Sequence, residues 1–159
     1  ESFLLFGEYI KLKVLEGGKV GTQLIDDYLL TTVRSSEIGE FRKSRIKTYI
    51  DKWYVKEAYK RLEEKVIKYS QIIQVSPREM KVRNYKTRWG SCDIKGRLTF
   101  NFHLIKAPHK IVDYVVIHEL CHMIQPNHSK FFWDEVAKFD PSFKSHKKWL
   151  KGNGNLLMC

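Results

Sequence analysis

The stretch that decides the reading is Ile111-Val112-Asp113-Tyr114-Val115-Val116-Ile117-His118-Glu119-Leu120-Cys121-His122. An almost wholly apolar run leads directly into two histidines and a glutamate. A helix that begins this way is expected to lie in the core, where imidazole and carboxyl groups are costly unless paired or bound to a metal. On a helix, positions i and i+4 lie about one turn apart on the same face. His118 and His122 can therefore aim two rings at one ion. Glu119, next to the first ligand, can project toward the open side of that ion and accept a proton from a water held there.

This is the H-E-x-x-H spacing of zinc peptidases. A catalytic zinc usually takes three protein ligands and keeps a fourth position open. The next residues supply a candidate. Gln125-Pro126-Asn127-His128 follows the helix, and a proline stops helices. A turn there folds the chain back, so that His128, six residues past His122, can reach the metal. Asn127 is expected to cap the following helix, with His128 in its first turn. Asp134 and Glu135 compete as acidic third ligands from further along, though their spacing reads as an ordinary charged helix surface. Of the other histidines, His103 sits in an expected strand just before the site and is a candidate to line the cleft. His109 and His146 read as surface residues.

Outward from this centre, Pro108 marks the start of the metal-binding helix, which is expected to run to about Ile124. Upstream, Arg97 to Leu104 alternates apolar and polar residues and reads as a strand. Asp93-Ile94-Lys95-Gly96 reads as a turn, Trp89 to Cys92 as a loop or strand edge, and Met80 to Arg83 as a short strand. Residues 37–70 read as a long helix. Ile46, Tyr49, Ile50, Trp53, Val55, Ala58, Leu62, Val66 and Tyr69 recur there mostly at three- and four-residue steps. Residues 1–36 read as β-structure. In it Glu8 to Val14 alternates, Glu16-Gly17-Gly18-Lys19 offers a hairpin-type turn, and Gln23 to Val33 gives one or two strands around Asp26-Asp27. Downstream, a helix from about Ser129 to Lys138 ends at Asp140-Pro141. A short helix from Phe143 to Leu150 follows, and Gly152-Asn153-Gly154-Asn155 reads as a loose tail. The expected organisation is one domain over 1–159, with its metal-binding core at 80–151.

A chain of 159 residues, 43% hydrophobic and 13% aromatic, can bury a core without disulfides and is no disordered tail. Its apolar stretches fall far short of the ~20 residues a membrane helix requires. No stretch reads as a basic segment, apolar core and cleavage site, so a cytoplasmic location is the default expectation. Three cysteines, Cys92, Cys121 and Cys159, form no C-x-x-C pair, which argues against a disulfide framework or a cysteine-rich zinc site. Cys121 is expected to be a small buried hydrophobe. The net charge of +11, from 29 Lys+Arg against 18 Asp+Glu, admits a nucleic-acid partner as well as a solvated basic surface.

The stretch from Arg88 to Leu150 resembles the YgjP-like metallopeptidase family, relatives of the WLM and SprT-type zinc peptidases. The matching residues are Arg88-Trp89-Gly90-Ser91-Cys92, Asn101, Leu104, Pro108, Asp113 to Val116, His118 to His122, Asn127-His128-Ser129, Phe132-Trp133 and Trp149-Leu150. Trp53, Tyr54 and Ala58 upstream are also similar, while the first 35 residues match loosely. The resemblance implies an α+β, zincin-like fold, a small antiparallel or mixed sheet packed on the metal-binding helix. It implies a Zn2+ ion held by His118, His122 and His128, with Glu119 as catalytic base. It also implies that the strand around Leu98 to Phe102 forms the edge of the cleft, along which an extended peptide or protein substrate would pair. The Arg88-to-Cys92 segment belongs to the pattern without an assigned chemical step. Cys92 reads as a packed loop residue. The rival expectation is a nucleic-acid-associated module, either a protease aimed at DNA-bound proteins or a zinc site without catalysis.

Overall fold

In the computed structural model, which describes residues 1–158, the alternating N-terminal segment becomes four strands. These are β1 (Ser2–Leu5), β2 (Glu8–Glu16), β3 (Gly21–Ile25) and β4 (Tyr28–Val33). Asp26-Asp27 forms the expected turn, and β3 and β4 pair antiparallel across it. The turn at Glu16 to Lys19 does not close a hairpin. The sheet order is β1-β2-β4-β3, so β4 lies between β2 and β3 and pairs parallel with β2. The glycines reverse the chain, but the strand that returns alongside β2 is the second one after them.

The long helix α1 spans Gly39–Ile73. Tyr49, Ile50, Tyr54, Ala58, Leu62 and Val66 form its buried stripe, as a 3.6-residue period dictates. Val55 falls outside that stripe and is exposed, whereas Tyr54 takes a core position and donates its hydroxyl to the Leu4 carbonyl at 2.6 Å. That bond ties the N-terminal sheet to α1.

The second sheet is the one that serves the site. It contains β5 (Glu79–Arg83), β6 (Gly90–Cys92) and β7 (Arg97–Asn101), in the order β5-β7-β6. β7 runs parallel to β5 and antiparallel to β6, with Gly90 opposite Phe100. The Asp93 carboxylate accepts from the amides of Lys95 and Arg97 and holds the turn between β6 and β7. The strand expected to reach Leu104 stops at Asn101, whose side chain accepts from the His103 amide and caps a 3-10 helix over Phe102–Lys106.

Helix α2 (His109–Cys121) lies in the core. Ile111, Val112, Val116, Leu120 and Cys121 are wholly buried, and each large apolar side chain contributes about 1.5–3 kcal/mol to folding. The one acid in the apolar run, Asp113, meets Lys65 of α1 at 2.6 Å. Helix α3 (Lys130–Phe139) begins at Ser129, whose hydroxyl accepts from the Phe132 amide, so Ser129 and not Asn127 is its cap. Helix α4 (Phe143–Leu157) runs straight through the expected tail. Local propensity argues against Gly152 and Gly154 in a helix, but packing overrides it. Leu157 is buried, and Gly154 lies so close to Trp89 that a Cβ there would sit 3.2 Å from the indole. No described helix is long and apolar enough to cross a membrane.

Candidate metal centre

His118 lies in the last turn of α2, and His122 is its C-cap, still in right-handed helical conformation. The helical spacing therefore holds, although the helix ends earlier than the proline alone suggests. The amides of Ile124 and Gln125 both return to the Cys121 carbonyl, tightening the chain before Pro126. His128 then precedes the Ser129 cap and faces back toward α2. Its Nε2 lies 3.1 Å from Nε2 of His122 and 3.3 Å from Nε2 of His118. A tetrahedral ion with bonds of ~2.0–2.1 Å keeps its ligand atoms roughly 3.3 Å apart, so three nitrogens so placed fit such an ion. No other set of three His, Cys, Asp or Glu side chains is so gathered among the described residues.

The surroundings orient these rings. Nδ1 of His122 lies 3.1 Å from the Gln125 carbonyl. A carbonyl only accepts, so Nδ1 carries the hydrogen and Nε2 presents its lone pair toward the other two histidines. The Tyr114 hydroxyl stands 3.5 Å from Nδ1 of His118. Phe132, wholly buried, stacks on His122 at 4.3 Å and meets His118 edge-on at 4.9 Å. Burial, reinforced by His122, His128 and Lys147, pushes the His118 imidazole down to about 3, and burial also lowers His122. Both rings resist protonation and stay available as neutral donors.

Glu119 is only 6% exposed. Burial pushes its carboxyl up to about 8, against the pull of the Arg88 guanidinium. A Cβ at Gly90 would come 3.0 Å from Cγ and 3.2 Å from Oε2 of Glu119, so β6 passes directly against the carboxylate. The preceding loop is held by Asn101, wholly buried. Its side-chain amide donates to the carbonyls of Tyr85 and Arg88, and its own amide to that of Trp89. The Arg88-to-Cys92 segment thus acquires a structural meaning: Asn101 clamps the loop, Trp89 receives α4, and Gly90 makes room for Glu119. Cys92 is half-buried, and burial with the nearby Glu119 pushes its thiol up to about 11, which makes it a poor nucleophile.

The model of the family described as YgjP-like, metallopeptidase domain, matches residues 1–153. The chain belongs to the YgjP-like metallopeptidase family. Membership makes it a metal-dependent hydrolase. No curated protein matches it. Among solved structures, this YgjP-like chain is similar to the metallopeptidase zymogen of Pyrococcus abyssi abylysin, at 22% identity and a TM-score of 0.52. That alignment covers 57% of this chain and 93% of the other, and at such identity it supports the fold alone.

β7 is the central strand of its sheet, with Leu98 and Phe100 wholly buried, so it cannot form the cleft edge. The strand with a free edge beside Glu119 is β6. His103 is buried against Phe102, with its Nδ1 without a hydrogen-bond partner among the described residues, and is not part of the cluster of three histidines. His146 is not a surface residue: its Nδ1 pairs with the buried Asp140 carboxylate at 2.7 Å. His109 is exposed and stacks on Phe6. Asp134 is exposed and Glu135 pairs with Lys138 at 2.6 Å, as ordinary helix-surface charges do. Cys121 is buried as expected, and Cys159 lies outside the described residues.

Gly90 was legible only as part of a motif; its contact with Glu119 is tertiary. If Glu119 acts on the substrate, Gly90→Ala lowers kcat about 100-fold with metal content unchanged, the scale of a small displacement of such a group. The added methyl would also meet Cδ1 of the buried Phe100 at 3.1 Å, leaving the carboxylate as the group able to move. Metal content measured beside kcat separates this from general unfolding. An unchanged kcat would remove Gly90 from the account.

Proposed function

We propose that the chain is a zinc-dependent peptidase in which His118, His122 and His128 hold the ion and Glu119 is the general base. The observation that carries this reading is the convergence of three imidazole nitrogens at 3.1 and 3.3 Å, with the buried Glu119 following His118 on the same helix. A neutral three-histidine donor set suits zinc, whereas magnesium and calcium favour oxygen ligands. A bound zinc ion would supply Lewis acidity, activating water and polarising the scissile carbonyl.

The protein's own residues do the rest. Glu119 takes the proton from the attacking water and delivers it to the leaving amine. Its position depends on Gly90, and its burial keeps the proton transfer away from bulk solvent. Burial alone would hold the carboxyl protonated near neutral pH, and the positive charges of a dication and of Arg88 oppose that, favouring the basic form. The free edge of β6 offers backbone groups to an extended peptide by strand addition. His122, fixed through Nδ1 by the Gln125 carbonyl, keeps its metal-facing nitrogen oriented before any ion arrives.

The test is removal and return of the metal. Stoichiometric zinc is expected in the purified protein by elemental analysis. Chelation should abolish cleavage of a peptide library, and one equivalent of zinc should restore it. Cleavage that survives complete chelation would overturn the reading.

A further inference from the structure

The helices that follow the metal ligands carry charge in a pattern that the hydrolytic centre itself does not use. Lys144, Lys147, Lys148 and Lys151 lie on α4 at three- and four-residue spacing, and that helix contains no acidic residue. Like charges so spaced destabilise a helix. Together with Lys130 at the start of α3, they line a cavity of about 500 Å³. All five lysines are exposed, and none forms an ion pair among the described residues. Of the nearby carboxylates, Glu135 pairs with Lys138 and Asp140 with His146, while Asp134, one turn from Lys130 on α3, is exposed and in no ion pair among the described residues.

The apolar wall of this cavity is Trp133 and Phe143, stacked at 5.2 Å. Trp133 also belongs to the metal centre, with its ring 5.5 Å from His118 and 5.9 Å from His128. The Lys147 ammonium sits 4.4 Å from the same indole. Trp133 is therefore shared between the wall of the groove and the surroundings of the histidines.

We infer that this groove is a substrate subsite that recognises an acidic peptide segment, Asp- or Glu-rich, on one side of the scissile bond. The inference rests on the peptidase reading above for its choice of polymer. The positive charge alone suits any polyanion, but the groove adjoins the centre at which a peptide bond would be cut. Five ammonium groups outside any ion pair attract carboxylates, while the two rings pack the aliphatic parts of the peptide.

The experiment uses the full, metal-loaded chain carrying Glu119→Gln, so that bound peptide is not consumed. Binding of a fluorescent Glu-rich peptide is compared with that of its Gln counterpart by anisotropy at low and moderate salt. The acidic peptide is expected to bind at least about tenfold more tightly, with the preference shrinking as salt rises. Lys144→Glu, Lys148→Glu and Lys151→Glu together should erase the preference. The same number of reversals at Lys52, Lys56 and Lys60, which line a separate cavity beside β3, should leave it intact. The milder triple change to Gln should weaken it in the same direction, and guards against misfolding of the reversed variant.

Equal binding of the two peptides would overturn the inference, as would equal losses in the two triple variants, which would mark a diffuse charge effect. A single-stranded oligonucleotide that displaces the peptide and alone depends on the three lysines would replace it with a nucleic-acid site. If the parent chain cleaves no peptide while the acidic preference and its lysine dependence persist, the peptidase reading fails and the anionic subsite stands.

Discussion

Glu119→Gln is expected to leave the metal in place and lower kcat by about 10²–10⁴-fold, the range that general acid–base groups contribute. Glutamine nearly matches glutamate in size, so the space against Gly90 is filled as before. What disappears is the ability to take a proton from water and return it to the leaving amine. Metal content and kcat measured on one preparation separate this from loss of the ion. A second readout comes from stability after the metal is stripped. Without the ion, burial raises the carboxyl from its usual range to about 8. Between the unfolded carboxyl's range and that value, the folded state binds the additional proton, so its stability falls as pH rises. The glutamine variant does not titrate. Stripped of metal at pH 8, it should therefore melt at a higher temperature than the stripped parent. A base removed with activity intact would end the assignment of Glu119. Lost activity accompanied by lost metal would shift the explanation to the ligands.

The legibility of this site follows the range of the contacts involved. His118 and His122 are four residues apart on one helix, so local geometry alone brings their rings together. His128 lies beyond a chain break at Pro126, and the residues there allow the return without dictating it. The residue that caps the next helix is left open by the sequence for the same reason. Asn127 and Ser129 are both competent caps, and only the path of the turn selects Ser129. Longer-range features were less legible still. Alternation identifies β7 as a strand but does not say that β5 and β6 flank it, so the free edge could not be assigned to β6. The parallel pairing of β2 with β4 was hidden behind a turn that resembles a hairpin. Gly152 and Gly154 suggest a tail until Trp89 supplies the surface against which α4 packs. The approach of Gly90 to Glu119 joins a three-residue strand to a helix nearly thirty positions away, and spacing in the sequence carries no trace of it.

His128→Ala should weaken zinc binding by at least about 100-fold, above the range seen when only an outer-shell partner of a ligand is removed. Of the three histidines, it gives the cleanest test. His128 is exposed and precedes α3, so truncation opens no core cavity and leaves the Ser129 cap in place. His118 is half-buried among Phe132, Trp133 and Tyr114, and its removal would disturb packing along with coordination. Competition against a chromogenic chelator gives the affinity, and the melting temperature without metal should match the parent's. Glu135→Ala provides the opposing arm. An acidic third ligand from α3 would reverse the outcome, with His128→Ala binding normally and Glu135→Ala losing the ion. The structure favours His128, because its Nε2 is already at ligand separation from the other two. Glu135 instead spends its carboxylate on Lys138 at 2.6 Å. Two neutral imidazoles left by the truncation would hold zinc too weakly to survive purification, so kcat per mole of protein should fall with metal content. Excess zinc should then recover little activity, because a site short of one ligand no longer fixes the ion's position relative to Glu119.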